Sequence, residues 1–258
     1  MTTVPAFIEQ GSGEALIFLH GIGGGADNFT ASLDYFQGRY RAISWDMPGY
    51  GRSSLDEKMT FPMLARSLLA IFDQEDIEKA ILVGHSMGGM VAQEFVAMFP
   101  ERVQALVLAG TSPAFGKPGG DWQQQFLDAR LAPLDQGKTP ADFAGPLVES
   151  MLGDFKTPKV VAKARTSMDT LASDTYRAAL HCIITFDQLA NLGSIVVPTL
   201  CLAGEKDNNA PPAVVEKMAQ KINGADYWNI AGVGHLMNIE RTDLFNNAID
   251  DFLKRHNL

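Results

Sequence analysis

The sequence predicts an α/β fold: a mostly parallel central sheet with flanking helices and an inserted helical lid. Three observations predict it. Short apolar runs recur along the chain with helical patterns between them. Several runs are apolar at nearly every position, as strands buried on both faces of a parallel sheet must be. One long stretch, residues 113–191, carries helical patterns and no strand pattern. A helical block between two sheet strands reads as a lid over the carboxyl ends of the strands, where open α/β sheets bind ligands.

The elements follow in order. "ALIFLH" (15–20) and "YRAISWD" (40–46) read as the first two strands. A helical pattern over 62–75 leads to the strand "KAILVGH" (79–85), then to a helix over 87–98 that stops at Pro100. "VQALVLAG" (103–110) is the next strand. The lid then opens with "DWQQQFLDARL". Thr139-Pro140 and Thr157-Pro158 each pair a capping residue with proline at the first helical position. Ser173 is placed to cap "DTYRAALHCIITF". The sheet resumes with "VPTLCLAG" (197–204), a helix over 212–222, "ADYWNI" (225–230) and a last helix over 241–255. The expected division is a core of residues 1–112 and 192–258 and a cap of residues 113–191.

A chain of 258 residues suits one core with a smaller lid. With 46% apolar and 20% charged residues it has the composition of an ordinary globular protein. A formal net charge of −9 argues against nucleic acid and anionic membranes as partners. No apolar run reaches the ~18 residues of a membrane span. The start, "MTTVPAFIEQGSG", lacks the basic and apolar segments of a secretory leader. Cys182 sits in a helical pattern and Cys201 in an apolar strand, so neither a disulfide framework nor a zinc site is expected. These features predict a cytoplasmic protein.

The chemistry is carried by "ILVGHSMGGM", in which Gly84-His85-Ser86-Met87-Gly88 forms G-x-S-x-G between a strand and a helix. A sharp strand-to-helix turn leaves no room for side chains at 84 and 88, and it lifts the Ser86 hydroxyl clear of the backbone. The helix start places free N–H groups, and a positive dipole end, beside developing negative charge. A serine hydroxyl is a weak nucleophile and needs a base. Of the five histidines, His256 is terminal, His181 is in the lid, and His20 and His85 lie inside glycine turns. His235, in "AGVGHLMNIE" between the last strand and the last helix, is the candidate base. Its orienting acid is sought in "CLAGEKDNNAPP". Asp207 sits deeper in that loop, where a short side chain can reach His235; Glu205 is the alternative.

The stretch "HGIGGGADNF" admits two readings. Gly21, Gly23 and Ala26 satisfy G-x-G-x-x-A after a strand, with Asp46 about 20 residues on, which is a dinucleotide-binding pattern. The same glycines also suit the start of an oxyanion hole. A pyrophosphate reader has no use for the Ser86 turn or the acid and histidine loops, so the second reading is preferred. Asp46 and Arg52 are then expected to fix the turn after the second strand, and His85 to point away into the packing of the serine turn.

Together "HGIGGG", "DMPGYGRS" (46–53), "GHSMGG", "LAGEKDNNAPP" and "GVGHLMNIE" resemble the motifs of the α/β-hydrolase superfamily, over essentially the whole chain. Within it the look is that of small carboxylesterases similar to 3-oxoadipate enol-lactonase. The resemblance implies acyl transfer by a triad of Ser86, Asp207 and His235, in that chain order. It implies an oxyanion hole of the Ile22 and Met87 backbone N–H groups, with Gly23 as a helper, and a small-molecule ester or lactone substrate. It implies no cofactor and no metal. Superfamily branches with an aspartate nucleophile are disfavoured, because position 86 is serine. C–C bond hydrolysis of meta-cleavage products uses the same triad and stays open, as does a slow-turnover ligand sensor. Trp122, Phe126, Phe143, Met151, Met168 and Phe186 are the lid's large apolar residues, some of which are expected to line an acyl pocket.

Overall fold

The computed structural model describes residues 3–116 and 119–258. Seven strands form one sheet: β1 (Phe7–Gln10), β2 (Ala15–Leu19), β3 (Arg41–Trp45), β4 (Ala80–His85), β5 (Val103–Ala109), β6 (Thr199–Gly204) and β7 (Asp226–Ile230). They lie side by side in the order β1-β3-β2-β4-β5-β6-β7. All neighbours run parallel except β1, which pairs antiparallel with β3 at one edge. The helices are α1 (Thr30–Phe36), α2 (Phe61–Gln74), α3 (Met87–Met98), α4 (Asp121–Asp135), α5 (Pro140–Met151), α6 (Pro158–Asp169), α7 (Ser173–Ile183), α8 (Pro212–Ala219), α9 (Met237–Glu240) and α10 (Thr242–Arg255). The fold is therefore α/β, with a mostly parallel sheet, as the apolar runs predict.

Every residue of β2, β4 and β6 is buried. The period-2 alternation of a strand divides their side chains between two cores. Ile17, Leu19, Leu82 and Cys201 face α2, α3 and α8, whereas Leu16, Phe18, Ile81 and Leu200 face α1 and α10. The buried sheet thus holds β2, β4, β5 and β6 in fixed register, and their carboxyl ends, His20, His85, Gly110 and the loop after Gly204, come out along one side.

The helical block occupies the chain between β5 and β6. Its entry and exit are tied together: Ala114 and Asp187 form an antiparallel bridge. The Gln123 amide donates to the carbonyls of Phe115 (2.6 Å) and Ile184 (2.8 Å) across the same neck. Thr157 caps α6 by accepting the Val160 N–H (3.3 Å), and Thr139 stands at the head of α5 in a capping box with Asp142.

Four details depart from the sequence reading. The edge strand β1 and the short helix α1 carry no pattern long enough to be read; β1 is held by its ladder to β3 and α1 has no side-chain cap. Ser173 is the first residue of α7, with Ala172 in the cap position. The last helical pattern begins earlier and is broken at Arg241 (φ −140°), giving α9 and α10. The helix expected over 212–222 ends at Ala219. Among the described residues no helix is long and apolar enough to cross a membrane.

Candidate active site

Ser86 stands between β4 and α3 with φ 55° and ψ −121°, a backbone conformation that a serine adopts only when its surroundings enforce it. The enforcing contacts are visible. The Ser86 N–H donates to the Ala109 carbonyl of β5 (2.9 Å), and its carbonyl accepts from Gly89 (2.9 Å) and Met90 (3.2 Å). A Cβ at Gly84 would lie 2.5 Å from the Gly88 carbonyl oxygen, and one at Gly88 would collide with the Leu19 carbonyl. Both glycines of the motif are therefore sterically required.

Three side chains from three loops meet at this turn. His235 Nε2 lies 3.0 Å from Ser86 Oγ, and His235 Nδ1 lies 2.8 Å from Asp207 Oδ2. A carboxylate can only accept, so Nδ1 carries the proton and Nε2 is free to accept from the serine hydroxyl. The second Asp207 oxygen accepts the N–H groups of Asn209 (2.8 Å) and Ala210 (3.0 Å). The Asp207 side chain is fully buried and that of His235 is 8% exposed. Burial pushes the Asp207 carboxyl up, but the adjacent His235 ring, its hydrogen bond and the two N–H groups outweigh this and hold the pKa below its ordinary value. Glu205, the alternative acid, instead accepts the Gly232 N–H (2.7 Å) and braces the histidine loop from outside.

The remaining predicted positions surround the serine. Gly21 packs so close that a Cβ there would lie 2.7 Å from Ser86 Cβ. The Ile22 N–H that follows has no hydrogen-bond partner among the described residues. Met87 is the first residue of α3, so its N–H has no acceptor within the helix. Asp46 accepts from Ala26 N–H (2.9 Å) through one oxygen and from Arg52 Nε (2.8 Å) through the other, which fixes the turn after β3. His20 Nε2 accepts the Met47 N–H (3.0 Å) and Nδ1 donates to the Gly21 carbonyl (2.9 Å), so it is neutral and ties the glycine loop to that turn. Burial lowers its pKa to about 4.

His85 does more than fill the serine turn. Its Nε2 donates to the His235 carbonyl (2.7 Å), with the two rings 5.0 Å apart. Burial, helped by His235, lowers its pKa to about 3.

Glu240 was given no role by the sequence, although "HLMNIE" contains it. It is buried and bridges two loops. One carboxylate oxygen accepts from the N–H groups of Gly153 (2.8 Å) and Phe155 (3.1 Å), the other from Gly234 (2.8 Å). Beside it the His235 N–H donates to the Met151 carbonyl (2.7 Å). The end of α5 is thereby fastened to the histidine loop. A glutamate five residues beyond a loop histidine is the only signal that pointed to it.

These groups open onto a cavity of about 250 Å³ between the strand ends and helices α4–α7. Of the lid apolar residues singled out above, Trp122, Phe126, Met151 and Met168 line it. Phe143 instead packs on Tyr176 and Phe186 on Phe61.

Known proteins carry the same architecture. A 3-oxoadipate enol-lactonase of Acinetobacter baylyi is 26% identical over 96% of this chain and 91% of the relative. MenH from S. aureus superposes with a TM-score of 0.85 at 28% identity, covering 99% of this chain and 100% of that one. A thermophilic esterase from Thermogutta terrifontis superposes with a TM-score of 0.89 at 24% identity, covering 97% and 93%, which is a likeness of fold. The alpha/beta hydrolase fold family matches residues 14–242, and the chain belongs to that family.

Proposed function

We propose that this hydrolase cleaves a small carboxylic ester or lactone through an acyl-enzyme on Ser86. The observation that carries the reading is the unbroken hydrogen-bonded series Asp207–His235–Ser86, at 2.8 and 3.0 Å, in the wall of a largely apolar cavity. The enol-lactonase similarity supports the same reaction class.

In this mechanism Ser86 Oγ attacks the carbonyl carbon while His235 Nε2 takes its proton. The carbonyl π pair moves onto oxygen, where the Ile22 and Met87 N–H groups receive it; one such donor is worth about 10²–10³ in rate. Asp207 keeps the imidazole in the required tautomer and stabilises its charge. The tetrahedral intermediate collapses, His235 returns the proton to the leaving alkoxide, and the acyl group stays on Ser86. Water, deprotonated by His235, attacks the acyl carbon, and the serine leaves with its proton restored. Residues 113–191 act as the cap, joined to the core at the Ala114–Asp187 neck and closing the cavity above the serine.

The experiment is turnover of p-nitrophenyl acetate and butyrate. Steady multiple turnovers are expected, with Ser86→Ala reducing kcat by about 10⁴ or more. Persistent turnover in that variant removes Ser86 from the mechanism. A single burst without turnover points to a sensor rather than an enzyme.

A further inference from the structure

The helical block touches the glycine loop where that loop has no side chains of its own. A Cβ at Gly23 would lie 2.2 Å from the Met168 sulfur and 2.9 Å from its Cγ. One at Gly25 would lie 3.1 Å from the Ser167 hydroxyl oxygen. Both side chains come from the last turn of α6. Gly23 has φ 77°, a left-handed conformation that a residue with a Cβ rarely adopts. The space over it is filled instead from α6, by a buried methionine. Ser167 Oγ also donates to the Asn28 side-chain oxygen (3.3 Å), which accepts the Gly25 N–H (2.8 Å).

The contact falls on the least supported stretch of the loop. On one side His20 accepts the Met47 N–H (3.0 Å), and on the other Asp46 holds the Ala26 N–H (2.9 Å). Between these anchors, residues 22–24 have one backbone–backbone hydrogen bond among the described residues, from the Gly24 N–H to the Gly21 carbonyl (3.1 Å). The Ile22 and Gly23 N–H groups have no partner there. A glycine-rich segment with so few bonds has much backbone freedom to lose. Oxyanion donors work by being held in place before the charge develops, so something has to remove that freedom.

We infer that Met168 is a positioning residue for the oxyanion loop: its thioether, seated on Gly23, holds the Ile22 N–H in place beside Ser86. This deepens the ester-hydrolase reading of the same cavity and rests on it. It makes α6 part of the apparatus that stabilises the tetrahedral intermediate. Methionine suits the place, because an unbranched, adaptable chain can fill an irregular gap over bare backbone. Met168 also lines the cavity, so the rival role is a plain apolar contact with the substrate's acyl chain. The two roles differ in their kinetics. A positioning residue acts on the transition state whatever the chain, and its loss appears in kcat. An acyl contact acts on binding, so its loss appears in KM and grows with chain length.

The test measures Met168→Ala and Met168→Leu on p-nitrophenyl acetate and butyrate, at a temperature where both variants are folded. Met168→Ala should lower kcat about 10- to 100-fold, by the same factor for both esters and with little change in KM. Met168→Leu, close in volume, should recover most of the loss. A short-chain trifluoromethyl ketone adds Ser86 Oγ to its carbonyl carbon as the serine proton passes to His235, which leaves an oxyanion. Its inhibition should weaken in Met168→Ala by a factor similar to that in kcat. If the alanine variant does not fold, Met168→Val, which also empties the sulfur's place, is read in the same way. An unchanged kcat, or a loss confined to KM and larger for butyrate than for acetate, overturns the assignment. Absence of turnover in the wild type would instead be a failure of the ester-hydrolase reading. The positioning role is then decided by backbone amide NMR relaxation of residues 22–25. Order parameters that fall in Met168→Ala and return in Met168→Leu uphold it, and values equal in the wild type and Met168→Ala overturn it.

Discussion

At the scale of single residues, the proposed mechanism depends on which imidazole nitrogen carries the proton. Asp207 sets this by accepting from Nδ1 while two backbone N–H groups hold its other oxygen. Asp207→Asn would present an amide whose NH₂ faces the ring and stabilises the opposite tautomer. Nε2 would then be protonated and unable to accept from Ser86. A fall in kcat of about 10³–10⁴ on p-nitrophenyl butyrate is expected, with little change in KM. Glu205→Ala, which removes only a brace on Gly232, should cost less than about tenfold. If Glu205→Ala is the inactive variant and Asp207→Asn is not, the acid is misassigned. Ser86, Asp207 and His235 were legible because each type of residue sits in a loop that follows a readable strand. Glu240 was not. A charged side chain in a helical pattern reads as solvent-facing, and only the tertiary structure turns it inward.

At the scale of elements, the geometry of the candidate site rests on how the helical block is fastened to the strand-end loops. Glu240, at the end of α9, receives three N–H groups from two loops, and the His235 N–H reaches the Met151 carbonyl. Glu240→Ala leaves those three donors without an acceptor, at about 1–3 kcal/mol each where water cannot replace it. A loss of at least about 2 kcal/mol in urea unfolding is expected, together with a lower kcat at temperatures where the variant is fully folded, because the His235 loop loses its anchor. Unaltered stability and unaltered kcat would show the bridge to be incidental. The long strands and the proline-started helices α5 and α6 were readable because their signals are local. The break between α9 and α10 was not, since its cause is the turn of Arg241 between two packed segments. β1 escaped for a similar reason: three half-buried residues and the exposed Glu9 acquire strand structure only from the β3 edge.

At the scale of the whole molecule, two histidines buried in the packing, His20 and His85, tie the strand-end loops into one unit and make its stability depend on pH. His20 joins the glycine loop to the turn after β3, and His85 joins the serine turn to the His235 loop. In the folded protein burial lowers their pKa values to about 4 and about 3. In the unfolded chain both protonate below about 6.5. Between those limits the unfolded state binds more protons, so stability falls as the pH falls. From pH 7 to pH 5 the two together should remove about 3–4 kcal/mol, from ~1.4 kcal/mol per pKa unit for each group. The depressed Asp207 carboxyl acts in the same sense but only below about pH 4, where its unfolded form begins to protonate. Between pH 7 and pH 5 the Asp207 effect is therefore absent. Urea unfolding at pH 7, 6 and 5 should show the stability decreasing steeply over that range. His85→Asn keeps a donor for the His235 carbonyl but cannot titrate, so its stability should fall about half as steeply even though it starts lower. A flat profile in the wild type, or an equal slope in His85→Asn, would mean that these histidines are not held neutral by the fold.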